Sequence, residues 1–353
     1  MNELEVYKDF SLKSYNTFGI DARADRFIAL RSTDEYADLL SSGVLDDGRF
    51  FILGGGSNVV FSDKYQGTVV HPANKGVSLI GQEGSCCFVE AGAGEVWADF
   101  VDSCISQGWY GLENLAAIPG CVGASPVQNV GAYGKEAKDV IWKVHCFDIA
   151  NGAEHWIDAA DCGFDYRWSN FKGEWKNRFI IDRVVFRLDS AFTPYLSYKA
   201  LSEALTARNI SQPTARQLAD TVAAVRDSKL PNPQDIGSAG SFFKNPIVGK
   251  TQFDELKAKY PDIVAFPLPT GDFKLAAGWM IERCGWKGRS MGRVGVYEKQ
   301  ALVLVNRNGC SGQDVRRLAN AIIADVETHF GIRLDCEAIF VDVTESATNE
   351  LTN

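Results

Sequence analysis

Histidine and methionine are scarce in this 353-residue sequence, at four and three residues. The histidines (His71, His145, His155 and His329) and the nine cysteines form no C-x-x-C pair and no zinc-site spacing, so neither a structural zinc centre nor a dithiol redox motif is expected. Long apolar runs are missing too: the run 301–305 reads as a core strand, and nothing approaches the roughly 20 residues of a membrane span. The first ten residues mix Glu3, Glu5, Lys8 and Asp9 with a few apolar side chains, unlike a secretory signal. The expectation is a cytoplasmic protein, monomeric, with reduced and mostly buried thiols. Basic charge is in deficit, 36 Lys and Arg against 45 Asp and Glu, for a net −9. That excludes sequence-independent nucleic-acid binding, but a local basic pocket could still hold one small anion. No internal repeat or low-complexity tract suggests a solenoid.

What is present is a globular composition: 46% hydrophobic residues, 33 glycines and 11 prolines, on a length that suggests two or three domains. Ser32-Thr33-Asp34-Glu35 has capping-box spacing and predicts a helix ending near Gly43. Strands are expected at 50–53, 69–71, 88–91 and 179–188, and a helix at 95–107 stopped by Gly108. The polar stretch 208–214 is the candidate boundary before a helix carrying Leu218, Val222 and Val225, which stops before Pro231. Further helices are predicted at 251–259, 274–284 and 313–330, the last with Val315, Leu318, Ile322, Ile323 and Val326 at helical spacing. Strands and helices are segregated, which favours a two-lobed α+β enzyme over a doubly wound sheet.

Two glycine-rich segments carry the functional signal. Gly54-Gly55-Gly56-Ser57-Asn58 follows a strand, where glycines bring backbone N–H groups close to an anion. No Gly-Lys-Ser/Thr follows, so it is not a P-loop. Val59 occupies the third-glycine position of a dinucleotide fingerprint, and Trp97 does the same after Gly92-Ala93-Gly94, which disfavours Rossmann-type binding. The second segment runs from Ile118 to Gly134. Its small residues Gly120, Gly123, Ala124, Gly131 and Ala132 offer backbone access, with Ser125, Gln128 and Asn129 as side-chain donors. Either alone reads as a tight surface loop; two in one lobe point to a large phosphorylated cofactor.

Asn16-Thr17-Phe18-Gly19-Ile20, the Gly-Gly-Gly-Ser-Asn turn, and the run from Gly111-Leu112-Glu113-Asn114 to Gly134 resemble the UDP-N-acetylenolpyruvoylglucosamine reductase family. The resemblance extends through Phe164-Asp165-Tyr166-Arg167, Lys229-Leu230-Pro231-Asn232-Pro233, Gly240-Ser241-Phe242-Phe243-Lys244-Asn245-Pro246, Lys274-Leu275-Ala276-Ala277-Gly278-Trp279 and Gln300-Ala301-Leu302-Val303-Leu304. Pro194-Tyr195-Leu196-Ser197-Tyr198 resembles its long, tyrosine-loop type. The resemblance implies a vanillyl-alcohol-oxidase-like FAD-binding lobe over 1–214, divided near 70, a separate α+β substrate lobe over 215–330, and a C-terminal segment 331–353 returning to the first lobe. It also implies non-covalent FAD, NADPH as co-substrate, and reduction of UDP-N-acetylglucosamine enolpyruvate in peptidoglycan precursor synthesis. The flavin would be cradled by Gly54, Gly55, Gly56, Ser57, Asn58, Gly120, Gly123, Ala124, Ser125, Gln128, Asn129, Gly131, Ala132 and Tyr133.

Such a reaction needs a group to stabilise an enolate, a proton donor, and an anchor for the diphosphate. The resemblance carries Arg167 to the first task and Ser241 to the second. Glu337 becomes either an acid or a hydrogen-bonding partner, although nothing in the residues alone separates it from Asp335. Tyr198 and Lys229 are carried to the diphosphate with Arg226 assisting, and Asn245 and Gln300 to substrate polar groups. Cys336 stands before Glu337 where some relatives are expected to have proline, so a looser carboxylate is anticipated there. Two rivals remain in view. Ser241-Phe242-Phe243-Lys244 has the Ser-x-x-Lys spacing of acyl-transfer enzymes, without Ser-Asp-Asn or Lys-Thr-Gly downstream, and a binding protein could keep the cofactor lobe without catalysis. His71, a lone histidine at a strand end, is weak evidence for covalent flavin.

Overall fold

The computed structural model describes residues 4–62 and 64–343. Tyr7–Ser11, Arg23–Leu30, Tyr65–Pro72 and Phe50–Ile52 form the first sheet in that spatial order, with the last two pairings parallel. Helix Thr33–Ser41 covers one face and packs Tyr36 and Leu39 against Ile28, Leu30 and Val70. The capping box expected at Ser32 does not form: the Ser32 side chain makes no cap hydrogen bond, and the Glu35 carboxylate accepts the N–H of Arg31 at 2.6 Å. The acidic side chain found a nearer donor than the reciprocal box offers.

The second sheet is antiparallel, in the order Glu154–Asp158, Ile141–Asp148, Phe179–Asp189, Cys86–Gly92 and Val77–Glu83. Helix Trp97–Gln107 lays Phe100, Val101 and Cys104 on it and ends at Gly108, whose φ of 78° only glycine adopts without cost. A buried polar joint ties the two sheets together: Asn74 Nδ2 donates to Asp182 Oδ1 at 2.8 Å, and Tyr36 donates its hydroxyl proton to Asn74 Oδ1 at 2.7 Å.

Two helices follow. Lys199–Ala207 was not foreseen from the sequence, and Ala215–Lys229 buries Leu218, Ala219 and Val222 in the same core as Phe100 and Val184. The chain therefore leaves this core at the end of the helix Ala215–Lys229, and Leu230 already packs with Tyr297, Val303 and Val305. The polar stretch 208–214 joins two packed helices instead of two lobes.

In the second lobe, Ser238–Ser241, Val303–Asn306, Val294–Val296 and Ser290–Met291 form one sheet, and Ile247–Val248, Phe273–Leu275 and Ala265–Pro267 a smaller one. Phe273–Leu275 pairs on both sides, so the helix expected from 274 is confined to Ala277–Arg283. Helix Gly312–Phe330 does form its capping box, with Ser311 and Asp314 each accepting the other's N–H at 3.2 and 2.9 Å. Its Val315, Leu318, Ile322 and Val326 face a core that continues to Phe27 in the first sheet and to Leu12 just past its edge strand. Strand Ile339–Val341 pairs in parallel with Val59–Phe61, which brings the C-terminal segment back to the first lobe; 344–353 lie outside the described residues. Among the described residues no helix is long and apolar enough to cross a membrane, and no group of three His, Cys, Asp or Glu could hold a metal ion. All nine cysteines are unpaired, six of them buried.

Candidate active site

The two glycine-rich segments interlock. A Cβ on Gly55 would lie 2.7 Å from Gly120 Cα, and one on Gly54 would lie 2.8 Å from Cys121 Sγ. Gly56 has a φ of 64°, and its Cβ would run into the Tyr15 carbonyl. Packing thus dictates these glycines, because the loops approach too closely for side chains. Among the described residues the N–H groups of Gly54, Gly56 and Ser57 meet no protein oxygen, which leaves a cluster of donors of the kind a pyrophosphate fits. The cradle suits FAD. Gly56→Ala should lower stability by about 2–4 kcal/mol through strain and overlap, measured as a depressed melting temperature with flavin lost on gel filtration. The neighbouring His71 packs against Tyr15 and Phe27, and its Nδ1 lies 2.7 Å from the Leu53 carbonyl. Burial pushes its pKa down, so a neutral ring donating from Nδ1 steadies the strand end before the turn.

In the second segment, two expected cofactor contacts are spent inside the protein. Ser125 donates to the Val122 carbonyl at 2.7 Å. Asn129 is fully buried: its Nδ2 donates to Glu136 and to the Asp165 carbonyl, both at 2.9 Å, and its Oδ1 accepts from the Lys138 N–H at 3.0 Å. These hydrogen bonds hold the loop in shape. Gln128 Oε1 accepts from Lys172 Nζ at 2.7 Å, and the Gly131 carbonyl accepts from Arg167 Nη2 at 3.0 Å. Gly123 abuts Ala93, Ala124 faces Gly54, and Ala132 lies in a short hairpin with Lys135. Tyr133 meets the Tyr198 ring edge-on at 5.3 Å.

Arg167 and Glu337, far apart in sequence, meet, and Ser241 immediately precedes the segment that pairs with Glu337. Arg167 Nε lies 2.6 Å from Glu337 Oε1, an ionic contact whose N–H direction does not make it a hydrogen bond. Glu337 donates its N–H to the Phe242 carbonyl at 2.8 Å, Phe243 bridges to Cys336, and Lys244 donates to the Asp335 carbonyl at 2.9 Å. Segment 335–337 is therefore fixed alongside 242–244, one residue beyond Ser241. Asn58 Nδ2 donates to the Glu337 carbonyl at 3.1 Å, which links this junction to the glycine cradle. Glu337 is half-buried against Arg167, while Asp335 is exposed. Cys336 is bridged to Phe243, so the backbone before Glu337 lies against the neighbouring segment.

Around this centre, Tyr166 is half-buried with its hydroxyl against Asn245, and the Lys274 ammonium lies 5.0 Å from its ring centre. Sequence reasoning missed Lys172, whose pKa burial and the nearby Lys244 push down to about 8. Its only signal was a lysine set among Trp168, Phe171 and Trp175.

A cleft of about 310 Å³ opens beside Gly240, lined also by Thr17, Pro119, Arg226, Leu230 and Asn232. Arg226 is largely buried, which lowers its pKa, and its Nε donates to the Ala117 carbonyl at 3.1 Å. Lys229 is exposed at the last turn of the same helix, and Tyr198 is exposed beside Tyr133. Asn245 Oδ1 accepts the Ala277 N–H at 3.0 Å while its amide also meets the Tyr166 hydroxyl, and Gln300 Oε1 accepts the Leu302 N–H at 3.2 Å. Among the described residues no contact joins Tyr198, Lys229 or Gln300 to Arg167 and Glu337. Ser241 ends the strand Ser238–Ser241, and Lys244 lies beyond it with its N–H given to the Asp335 carbonyl.

Residues 232–341 match the family described as UDP-N-acetylenolpyruvoylglucosamine reductase, C-terminal domain, and 24–158 match the FAD binding domain family. The UDP-N-acetylenolpyruvoylglucosamine reductase of Burkholderia mallei (strain NCTC 10229) is 46% identical over 338 residues, 95% of this chain and 97% of the relative. That of Burkholderia ambifaria (strain MC40-6) is 45% identical over 340 residues, 96% and 97% of the two chains. The crystal structure of the Thermus caldophilus UDP-N-acetylenolpyruvylglucosamine reductase shares the fold, with a TM-score of 0.64 at 22% identity over 96% of this chain and 98% of that one. An FAD-binding domain, a matching C-terminal domain and near-full-length relatives agree, and the chain belongs to the UDP-N-acetylenolpyruvoylglucosamine reductase family.

Proposed function

We propose that this protein reduces UDP-N-acetylglucosamine enolpyruvate to UDP-N-acetylmuramate for peptidoglycan precursor synthesis, acting as a monomer in the cytoplasm. FAD, bound non-covalently, would accept hydride from NADPH and deliver it to the terminal carbon of the enolpyruvyl ether. The observation that carries this reading is the junction of Arg167, Glu337 and the strand of Ser241 beside the glycine cradle.

The interlocked glycine turns, with Gln128, Gly131, Ala132 and Tyr133, would hold the cofactor. Hydride addition drives charge onto the substrate carboxylate, and the permanently charged Arg167 can grip that carboxylate with two donors. Glu337, in contact with the guanidinium, serves as its orienting partner. Ser241 gives its proton to the carbon beside the ether oxygen, and its alkoxide recovers a proton from solvent. Lys229, Tyr198 and Arg226 anchor the diphosphate, while Asn245 and Gln300 offer amide donors to the sugar and pyruvyl oxygens.

The purified protein should be yellow, bleach on anaerobic addition of NADPH, and recover its colour with UDP-N-acetylglucosamine enolpyruvate. A colourless protein, or a flavin that the enolpyruvyl sugar does not reoxidise, would overturn the reading.

A further inference from the structure

Lys172 stands at the centre of the proposed site without a role in the reaction just described. Its Nζ donates to Gln128 Oε1 at 2.7 Å and lies 3.4 Å from the Arg167 carbonyl. An ammonium has donors only, so the amide facing it must present oxygen. The Gln128 nitrogen, with two donors, is thereby turned the other way. Arg167 needs support of its own. Tyr166 and Arg167 are the two central residues of a tight turn closed by mutual hydrogen bonds of 3.1 Å between Asp165 and Trp168, and Arg167 has a φ of 55°, unusual for a side-chain-bearing residue. Lys172 thus touches both the turn that aims the guanidinium and the glutamine of the second glycine-rich segment.

We propose that Lys172 is a positioning residue of this site: its ammonium locks the Gln128 amide with the nitrogen as donor and couples that orientation to the backbone of Arg167. The charges facing Nζ are Lys244, Arg167 and Glu337, two cations against one anion. With Lys172 itself the cluster holds three cations and one carboxylate, so an anionic ligand completes it. Burial first and Lys244 second push the lysine down to about 8, so the ammonium is present below that pH and lost above it. A bound carboxylate raises the value again. This inference rests on the proposed reaction for its kinetic readouts but not for its titration.

The experiment uses the holoenzyme in four forms: wild type, Lys172→Met, Gln128→Leu and the double variant. Each single change should slow flavin reoxidation by the enolpyruvyl sugar about tenfold through misplacement of the reacting groups, in kcat more than in KM. The double variant should be no slower than either single one, because both remove one coupled unit. The alkaline limb of the wild-type profile, with a midpoint of about 8, should vanish in Lys172→Met. Lys172→Arg, which keeps a donor-only side chain and makes its charge permanent, should keep most of the rate and move that limb upward. Additive losses, or an unmoved limb in Lys172→Met and Lys172→Arg, overturn the proposal. Acetic anhydride labelling of Lys172, followed by mass spectrometry across pH, needs neither ligand nor turnover. A midpoint near 8 that shifts in Gln128→Leu supports the coupling even if the sugar proves not to be the substrate, and an unshifted midpoint overturns it.

Discussion

In Ser241→Ala the flavin should still bleach with NADPH at the wild-type rate, while its reoxidation by the enolpyruvyl sugar falls by about 10²–10⁴-fold. The two half-reactions separate because only the second needs a proton delivered to carbon. The fold should be indifferent to the change. Ser241 belongs to a strand held through its backbone, opposite Val303, and its neighbours Phe242 and Phe243 carry the burial. Alanine removes one oxygen and leaves the strand, the Phe242 carbonyl and its hydrogen bond to Glu337 in place. Equal melting temperatures for the two proteins are therefore part of the expectation. Stopped-flow absorbance with premixed NADPH gives the first rate, and double mixing with the sugar gives the second. Wild-type reoxidation in the variant would remove Ser241 from its role.

The parts of the fold legible in the sequence were those with local causes. Gly108 announces a helix end, and the apolar spacing of Val315, Leu318, Ile322 and Val326 announces the last helix; both are found. The glycine turn after Phe50–Ile52 was legible as a place where backbone must come close to something. What the sequence did not disclose is that the something is largely the other glycine segment, since Gly55 meets Gly120 and Gly54 meets Cys121. The misplaced boundary at 215 has a tertiary cause: a polar linker looks the same whether it joins two lobes or two helices of one core, and only the burial of Leu218 and Val222 decides. At Ser32 no side-chain cap forms, and Glu35 takes the Arg31 N–H instead of closing a box. Of the site, Arg167, Ser241 and Glu337 came from the family resemblance, and their meeting depends on the pairing of 335–337 with 242–244. Lys172 was invisible because a lysine reads as solvated until its neighbours are known. The net charge of −9 misled no one about nucleic acid and concealed a cluster of three cations around one carboxylate.

Arg167→Lys should be nearly as damaging as Arg167→Met, each lowering the rate of flavin reoxidation by about 10²–10³-fold. The two substitutions differ in charge and agree in what they lack. Lysine restores a cation but is a compact point charge, whereas the proposed task is a planar grip on a carboxylate whose charge grows as hydride arrives. The guanidinium here also divides its nitrogens: Nη2 holds the Gly131 carbonyl at 3.0 Å while Nε lies against Glu337. A lysine cannot span both, and losing the first contact frees the turn beside the cofactor cradle. Glu337→Gln should be milder, because the amide oxygen still faces the guanidinium, and its loss should overlap with that of Arg167→Met in the double variant. NADPH-driven bleaching should be spared in all of them. If Arg167→Lys instead reoxidises at near the wild-type rate, any positive charge suffices at this position. The two-pronged grip on the carboxylate, and with it the need for the left-handed turn that presents Arg167, would then have to be given up.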